Sequence, residues 1–112
     1  MALHYNLAKV YSRFNSDEDK VFVEIDLFMD QMPAQVEMLY LGIEDKDYDL
    51  VKATAQKMRD KLDLFGMNVS YEEINLVEEW AQKKGKRKEI KGVYQSLNKQ
   101  IKNTIKELKK DF

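Results

Sequence analysis

The sequence contains no cysteine, and only four glycines and one proline among its 112 residues. Without cysteine the chain has no disulfide framework, no thiolate metal site and no cysteine nucleophile, and the lack of disulfides favours a reducing compartment. So few glycines and prolines leave little material for turns, which favours long helices. The length predicts a single domain over residues 1–112, large enough for a core without covalent staples.

Long apolar runs and a strong net charge are missing as well. The apolar stretches are only a few residues long, so we expect no membrane span. The first six residues contain no basic segment followed by an apolar run, so we expect no signal peptide and a cytoplasmic protein. Nineteen basic and twenty acidic residues give a formal charge of −1, which argues against nucleic-acid binding by bulk charge. The charges are segregated, because residues 16–49 are predominantly acidic and residues 83–91 and 106–110 are basic.

Apolar residues repeat at steps of three and four along most of the chain, which predicts an all-α protein. The predicted helices cover about residues 5–14, 17–43, 46–65, 71–83 and 87–110. Ser16, followed by three acidic residues, is the predicted N-cap of the second helix, and Pro33 is expected to kink that helix rather than to split it. A capping box from Ser70 to Glu73 is predicted to begin the fourth helix, and Gly66 to end the third.

Short connections between the second and fifth helices predict an antiparallel four-helix bundle, with the first helix covering one end. We expect this bundle to be a monomer. The five methionines that follow Met1, among them Met38, are expected to fill the core together with Trp80. The core face of the third helix is predicted to contain Val51, Thr54, Ala55, Met58, Leu62 and Phe65.

The opposite face of the third helix is polar. At about 100° per residue, Gln56 lies roughly 160° from the centre of the core face. Lys52, Arg59, Asp60 and Asp63 share its outer side. Side chains in such a position can be presented to a partner without disturbing the core.

The segment from Ala55 to Met67 resembles the signature of the histidine-containing phosphotransfer (Hpt) domain. That signature begins with Ala-His, followed by any residue, an aliphatic residue and Lys, then by Gly or Pro, and then by a small residue. Several positions later it has an aromatic or aliphatic residue followed by Gly. Here the segment reads Ala-Gln-Lys-Met-Arg-Asp-Lys-Leu-Asp-Leu-Phe-Gly-Met. Residues 28–39 and 47–52 are similar to the family's preceding helix and acidic turn, and the resemblance extends over about residues 16–110.

In the Hpt family, the histidine accepts a phosphoryl group from a receiver aspartate and passes it to another, which requires an exposed, nucleophilic imidazole. Gln56 stands at that position, and its amide has no comparable nucleophile. Arg59 replaces the usual lysine beside the phosphoryl group, and Asp60 replaces a small residue that lets the receiver approach. The only histidine, His4, lies outside the motif. The resemblance therefore implies a pseudo-Hpt protein of phosphorelay signalling that carries no phosphate.

The partner that the resemblance implies is a receiver domain of a response regulator or a hybrid sensor kinase. It would dock on the outer faces of the second and third helices, with apolar residues in the centre and basic side chains against its acidic pocket. The partner-binding residues are thus predicted to be Lys52, Gln56, Lys57, Arg59, Asp60 and Asp63. Two alternatives stay open: an Hpt phosphotransfer protein whose histidine was replaced recently or by engineering, and a structural helical bundle with an unrelated partner.

Catalytic and metal-binding patterns are missing from the sequence. It contains no Ser/His/Asp set, no Gly-rich phosphate loop and no His/carboxylate cluster, so we expect no enzyme, no metal and no cofactor. Asp45, Asp47 and Asp49 resemble the start of a calcium-binding loop. However, Leu50 and Gln56 stand where that loop requires glycine and an acidic ligand.

Overall fold

All regular secondary structure in the described part of the chain is helical, which confirms the predicted all-α class. The computed structural model describes residues 4–112, and the expectation of no signal peptide falls partly on residues 1–3, outside the described residues. No helix in the described part is long and apolar enough to cross a membrane. The helices are α1 (Ala8–Arg13), α2 (Glu18–Glu44), α3 (Tyr48–Leu64), α4 (Asn68–Gln82) and α5 (Arg87–Asp111).

The α2 helix is not split at Pro33, as predicted, but its N-cap is Asp17 and not Ser16. The Asp17 carboxylate accepts hydrogen bonds from the backbone N–H groups of Asp19 and Lys20. A carboxylate at this position also interacts favourably with the positive end of the helix dipole, which a hydroxyl does not. Ser16 instead adopts a positive φ of 61° in the turn after α1.

The α1 helix begins later than predicted because Asn6 is engaged elsewhere. The Asn6 backbone N–H donates to the carbonyl oxygen of Phe65 at 2.9 Å, which ties the chain to the end of α3. Its side-chain Oδ1 accepts a hydrogen bond from the backbone N–H of Ala8 at 2.8 Å. That bond satisfies one of the N–H groups that the first turn of α1 leaves free.

The capping box predicted at Ser70 is wrong, because α4 already begins at Asn68. Ser70 therefore lies inside the helix, where it is buried and its Oγ has no hydrogen-bond partner among the described residues. Gly66 does end α3, as predicted, with a φ of +64°. Met67 follows it directly and is buried, so the turn is complete before Ser70 and the next helix starts at once.

The core lies between the four long helices. Both α3 and α5 pack against α2 and α4, and the molecule measures 43 × 21 × 20 Å. All six residues predicted for the core face of α3 are buried. Phe28 of α2 stacks on Phe65 with 4.2 Å between ring centroids. Trp80 is buried as predicted, and its Nε1–H donates to the carbonyl oxygen of Lys86.

The α2 helix also carries exposed apolar residues on the side opposite the core. They lie within about 60° of one another around the helix axis, and we call them the α2 apolar stripe: Val23, Leu27, Ala34, Met38 and Leu41. The prediction that Met38 fills the core is wrong, since 41% of its surface is exposed. The reason is that Met38 lies one turn after Ala34, on the exposed side of α2, whereas Met32 lies on the side that faces the core.

Candidate functional site

Gln56 lies near the middle of α3 and is exposed, as the helical phase predicts. The helix that presents it is held at both ends. The Asp47 side chain caps its start by accepting a hydrogen bond from the backbone N–H of Leu50 at 3.1 Å, and Gly66 follows its end. The buried core face fixes the helix from behind. Of the other predicted site residues, Lys57, Asp60 and Asp63 are exposed, whereas Lys52 and Arg59 are half-buried.

Side chains of α4 contact Gln56 and Arg59 directly. Gln56 Nε2 donates a hydrogen bond to Glu78 Oε2 at 2.9 Å. The other oxygen of the same carboxylate, Oε1, forms an ion pair with the Arg59 guanidinium. Arg59 Nε donates to Asn75 Oδ1 at 2.8 Å. These four residues, Gln56, Arg59, Asn75 and Glu78, are called the Gln56 network below.

Helix geometry on both sides explains the Gln56 network. Gln56 and Arg59 are three residues apart on α3, and Asn75 and Glu78 are three residues apart on α4, so each pair shares one helix face. The connection between the two helices is only residues 65–67. Such a short connection returns the chain alongside itself and brings the two pairs opposite each other.

Burial makes this network more than a surface contact. Only 15% of the Glu78 side chain and 28% of the Arg59 side chain is exposed. Burying a carboxylate costs free energy unless it is paired and hydrogen-bonded, and here Gln56 and Arg59 both donate to it. The Arg59 charge is therefore offset within the protein. It reaches a partner only if the network opens.

The other side of α3 is tied to α2 by a second ion pair. Lys61 Nζ contacts the carboxylate of Glu24, which is 8% exposed. Lys57 lies one turn before Lys61, on the same side of α3. Lys57 and Lys52 take part in none of the ion pairs found within residues 4–112. These two lysines are the predicted site cations that remain available to a partner.

The two predicted aspartates have different surroundings. Asp63 accepts a hydrogen bond from Lys9 Nζ of α1 at 2.8 Å, and both side chains are more than half exposed. Asp60 is exposed, one turn beyond Gln56. The structure thus joins Gln56 and Arg59 in one network, leaves Asp60 on the open face, and assigns Asp63 to the contact between α3 and α1.

Asn75 and Glu78 were not predicted to be partners of the site residues on α3. A signal was present for Glu78, which lies four residues after Ile74 and so borders the apolar stripe of the fourth helix formed by Ile74 and Val77. Polar residues at the border of a core face commonly contact a neighbouring helix. The sequence alone does not reveal which helix that is.

Other chemically active groups lie apart from the Gln56 network. His4 Nδ1 is 2.6 Å from Glu107 Oε2, in a contact between the N-terminal segment and α5. Within residues 4–112, no group of three or more His, Cys, Asp or Glu residues is arranged to hold a metal ion.

Comparisons of the chain with family models, with curated proteins and with solved structures found no match.

Proposed function

We propose that this chain is a pseudo-Hpt protein, which binds receiver domains of response regulators or hybrid sensor kinases and carries no phosphate. The observation that supports this most is the position of Gln56. It is exposed in the middle of a well-anchored helix, where the resemblance expects the phosphoacceptor, and it is hydrogen-bonded to the carboxylate of Glu78. An amide is no nucleophile for phosphoryl transfer. The protein would therefore act as a competitor, a sequestering partner or a scaffold, and not as an enzyme.

The proposal includes the architecture of the Hpt family, an antiparallel four-helix bundle formed by α2 to α5. It is supported by the packing of α3 and α5 against both α2 and α4. It is also supported by cross-helix contacts that run in opposite chain directions. Glu24, near the start of α2, pairs with Lys61 near the end of α3. Gly42, near the end of α2, lies against Val51 near the start of α3.

The proposed docking surface combines the α2 apolar stripe with the outer face of α3. Exposed apolar side chains supply the central contacts that dominate binding energy in protein interfaces. Lys57, on the α2 side of α3, and Lys52 would meet the acidic pocket of the receiver. Arg59 would contribute indirectly, by orienting Glu78 and through it Gln56.

Calorimetric titration of the full chain with the receiver domains of its host, phosphorylated and unphosphorylated, tests the proposal. We expect at least one receiver to bind. Leu27→Asp and Lys57→Glu should each weaken that binding about tenfold or more, because each places a charge that opposes the contact. The control is Leu76→Asp on α4, an equally large change at a residue that is 48% exposed outside the docking surface.

Binding to none of the receivers in either state would rule the proposal out. A sedimentation experiment on the same samples then tests the alternative of a structural bundle, which would be favoured by self-association together with no affinity for receivers.

A further inference from the structure

A cavity of about 520 Å³ lies between the last turns of α2 and the first turns of α5. Its volume falls within the usual range of small-molecule sites. Tyr40 and Tyr94 line it together with three basic residues, Arg87, Lys88 and Lys91. No residue of the Gln56 network, of the α2 apolar stripe or of α3 lines this cavity, so it lies outside the proposed docking surface.

The charges around the cavity favour an anion. Glu44 also lines it, but Arg87 Nη1 lies 3.5 Å from Glu44 Oε2 and donates to the Glu44 carbonyl oxygen at 3.4 Å. That carboxylate is therefore offset. Lys88 and Lys91 take part in none of the ion pairs found within residues 4–112. They are three residues apart on α5 and so lie on the same face, which places beside the cavity two cations that form no ion pair within that range.

The rest of α5 strengthens the positive potential there. The helix carries eight Lys or Arg and only three Asp or Glu residues. Further lysines lie on the same face as Lys88 and Lys91, within about 60° of the Lys88 direction: Lys99, Lys102, Lys106, Lys109 and Lys110. A row of one charge sign raises the local concentration of counter-ions. Beside Lys88 and Lys91, the cavity adds the aromatic surface of Tyr40 and Tyr94 to this row of charges.

The two tyrosines give the cavity its aromatic wall. Their ring centroids are 5.8 Å apart with a 46° angle between the planes, and Tyr40 is 44% exposed. Burial first, and the charge of Glu37 second, raise the pKa of Tyr94. Its hydroxyl therefore stays protonated at neutral pH and can donate a hydrogen bond to an anion. Aromatic side chains of this kind offer a flat surface on which a ligand ring can stack.

We propose that this cavity binds a nucleotide, with the base against Tyr40 and Tyr94 and the phosphate between Lys88 and Lys91. Neither half of the ligand alone satisfies the whole site. An uncharged nucleoside leaves the two lysines without an anion, and inorganic phosphate leaves the aromatic wall open to water. The nucleotide joins both contacts in one molecule and is held more tightly than either part.

Calorimetric titration of the full chain with adenosine 5′-monophosphate and guanosine 5′-monophosphate tests this assignment, with adenosine and inorganic phosphate as the two partial ligands. We expect at least one nucleotide to bind saturably, and both partial ligands to bind about tenfold more weakly or worse. Lys88→Gln/Lys91→Gln should weaken nucleotide binding about tenfold. Tyr40→Leu should weaken it by several-fold, through loss of stacking.

The matched control is Lys102→Gln/Lys106→Gln, which removes the same charge from the same face of α5 outside the cavity. It should change the affinity by less than about threefold, because only the long-range potential is altered. Apart from Tyr40, the substituted residues are exposed lysines, so we expect every variant to fold. Circular dichroism checks that each variant keeps its helices. No saturable binding of either nucleotide would overturn the proposal. Equal weakening by the two lysine pairs would overturn it too, because the attraction would then belong to the whole helix and not to the cavity.

Discussion

The carboxylate of Glu78 on α4 accepts a hydrogen bond from the side-chain amide of Gln56 on α3, with 2.9 Å between Nε2 and Oε2. The same carboxylate is paired with Arg59. One residue of α4 thus orients two positions at which the Hpt resemblance expects the phosphoryl chemistry. Gln56 belongs both to the exposed surface of α3 and to the contact between α3 and α4. Separate predictions follow from these two positions.

Loss of the Glu78 carboxylate should destabilise the protein. In Glu78→Ala, the half-buried Arg59 guanidinium loses its ion pair and Gln56 loses its acceptor. We expect the free energy of unfolding to fall by about 1–2 kcal/mol, the range for an unsatisfied, partly buried polar group. Urea denaturation followed by circular dichroism measures the change.

The neighbouring residue provides the control for that experiment. Glu79 pairs with Lys83 one turn away, and these side chains are 55% and 72% exposed. Glu79→Ala should lower the free energy of unfolding by less than about 0.5 kcal/mol, because solvent screens such a pair. Equal losses in the two variants would contradict a structural role for the Gln56 network.

Two glycine-to-alanine substitutions should change the stability in opposite directions. Gly92 in α5 is exposed, and a Cβ atom built there meets no atom of the surrounding structure within 4 Å. Gly92→Ala should therefore stabilise the protein by about 0.5–1 kcal/mol, since alanine loses less backbone entropy in a helix. Gly42 in α2 is buried, and its Cβ would lie 2.7 Å from Cγ2 of Val51 on α3. Gly42→Ala should cost about 1–3 kcal/mol through overpacking.

Thermal denaturation of both variants beside the unchanged protein gives the two signs. A melting temperature that rises in Gly42→Ala would mean that α2 and α3 are not packed as closely as Gly42 and Val51 indicate.

Gln56→His alone should not restore phosphoryl transfer. The new imidazole would lie beside the Glu78 carboxylate, and the exposed carboxylate of Asp60 lies one turn away. The charge of Asp60, unpaired among the described residues, opposes an incoming phosphoryl group and the acidic pocket of the receiver that delivers it. Incubation with a receiver labelled with radioactive phosphate should leave the variant unlabelled.

A triple variant, Gln56→His with Asp60→Gly and Glu78→Gln, removes both charges and provides the comparison. Label on the single variant would contradict the prediction. It would support the alternative that a working phosphotransfer protein lost its histidine recently or by engineering.

The stability should fall at alkaline pH, in part because of Tyr5. Its hydroxyl donates a hydrogen bond to Asp111 Oδ2 at 2.6 Å. Burial, followed by this bond and the nearby carboxylates, raises the pKa of Tyr5 above its ordinary value of 10.0. Because the folded pKa is higher than the unfolded one, Tyr5 contributes its stabilisation below pH 10 and loses it as the pH rises from there towards the folded pKa.

The stability of the unchanged protein and of Tyr5→Phe is compared by urea denaturation at about pH 8, 10 and 11. These values lie below, at and above the ordinary tyrosine pKa of about 10. The alkaline loss of stability should be smaller in Tyr5→Phe. Tyr71→Phe, which leaves the bond between Tyr5 and Asp111 in place, should keep the larger loss. The same alkaline loss in Tyr5→Phe and in the unchanged protein would show that Tyr5 makes no such contribution.

Much of the fold follows from local patterns in the chain. The core face of α3 is buried as predicted, because residues three and four apart share one side of a helix wherever that helix packs. Gly66 ends α3 for a local reason too, namely its positive φ. Helix starts were predicted less well. Asp17 and Ser16 are both residue types that cap helices, and the backbone conformation of the folded turn decides which of them is the N-cap of α2.

The sequence by itself determined the helices, their apolar faces and the exposure of Gln56, because each of these depends on residues within a few turns of one another. Tertiary structure decided what lies beside Gln56. The pairing of Glu78 with Gln56 and Arg59 requires α4 to pack against α3 at one particular register. The exposure of Met38 has the same origin, since an apolar side chain is buried only where another helix covers it and none of those described covers the outer side of α2.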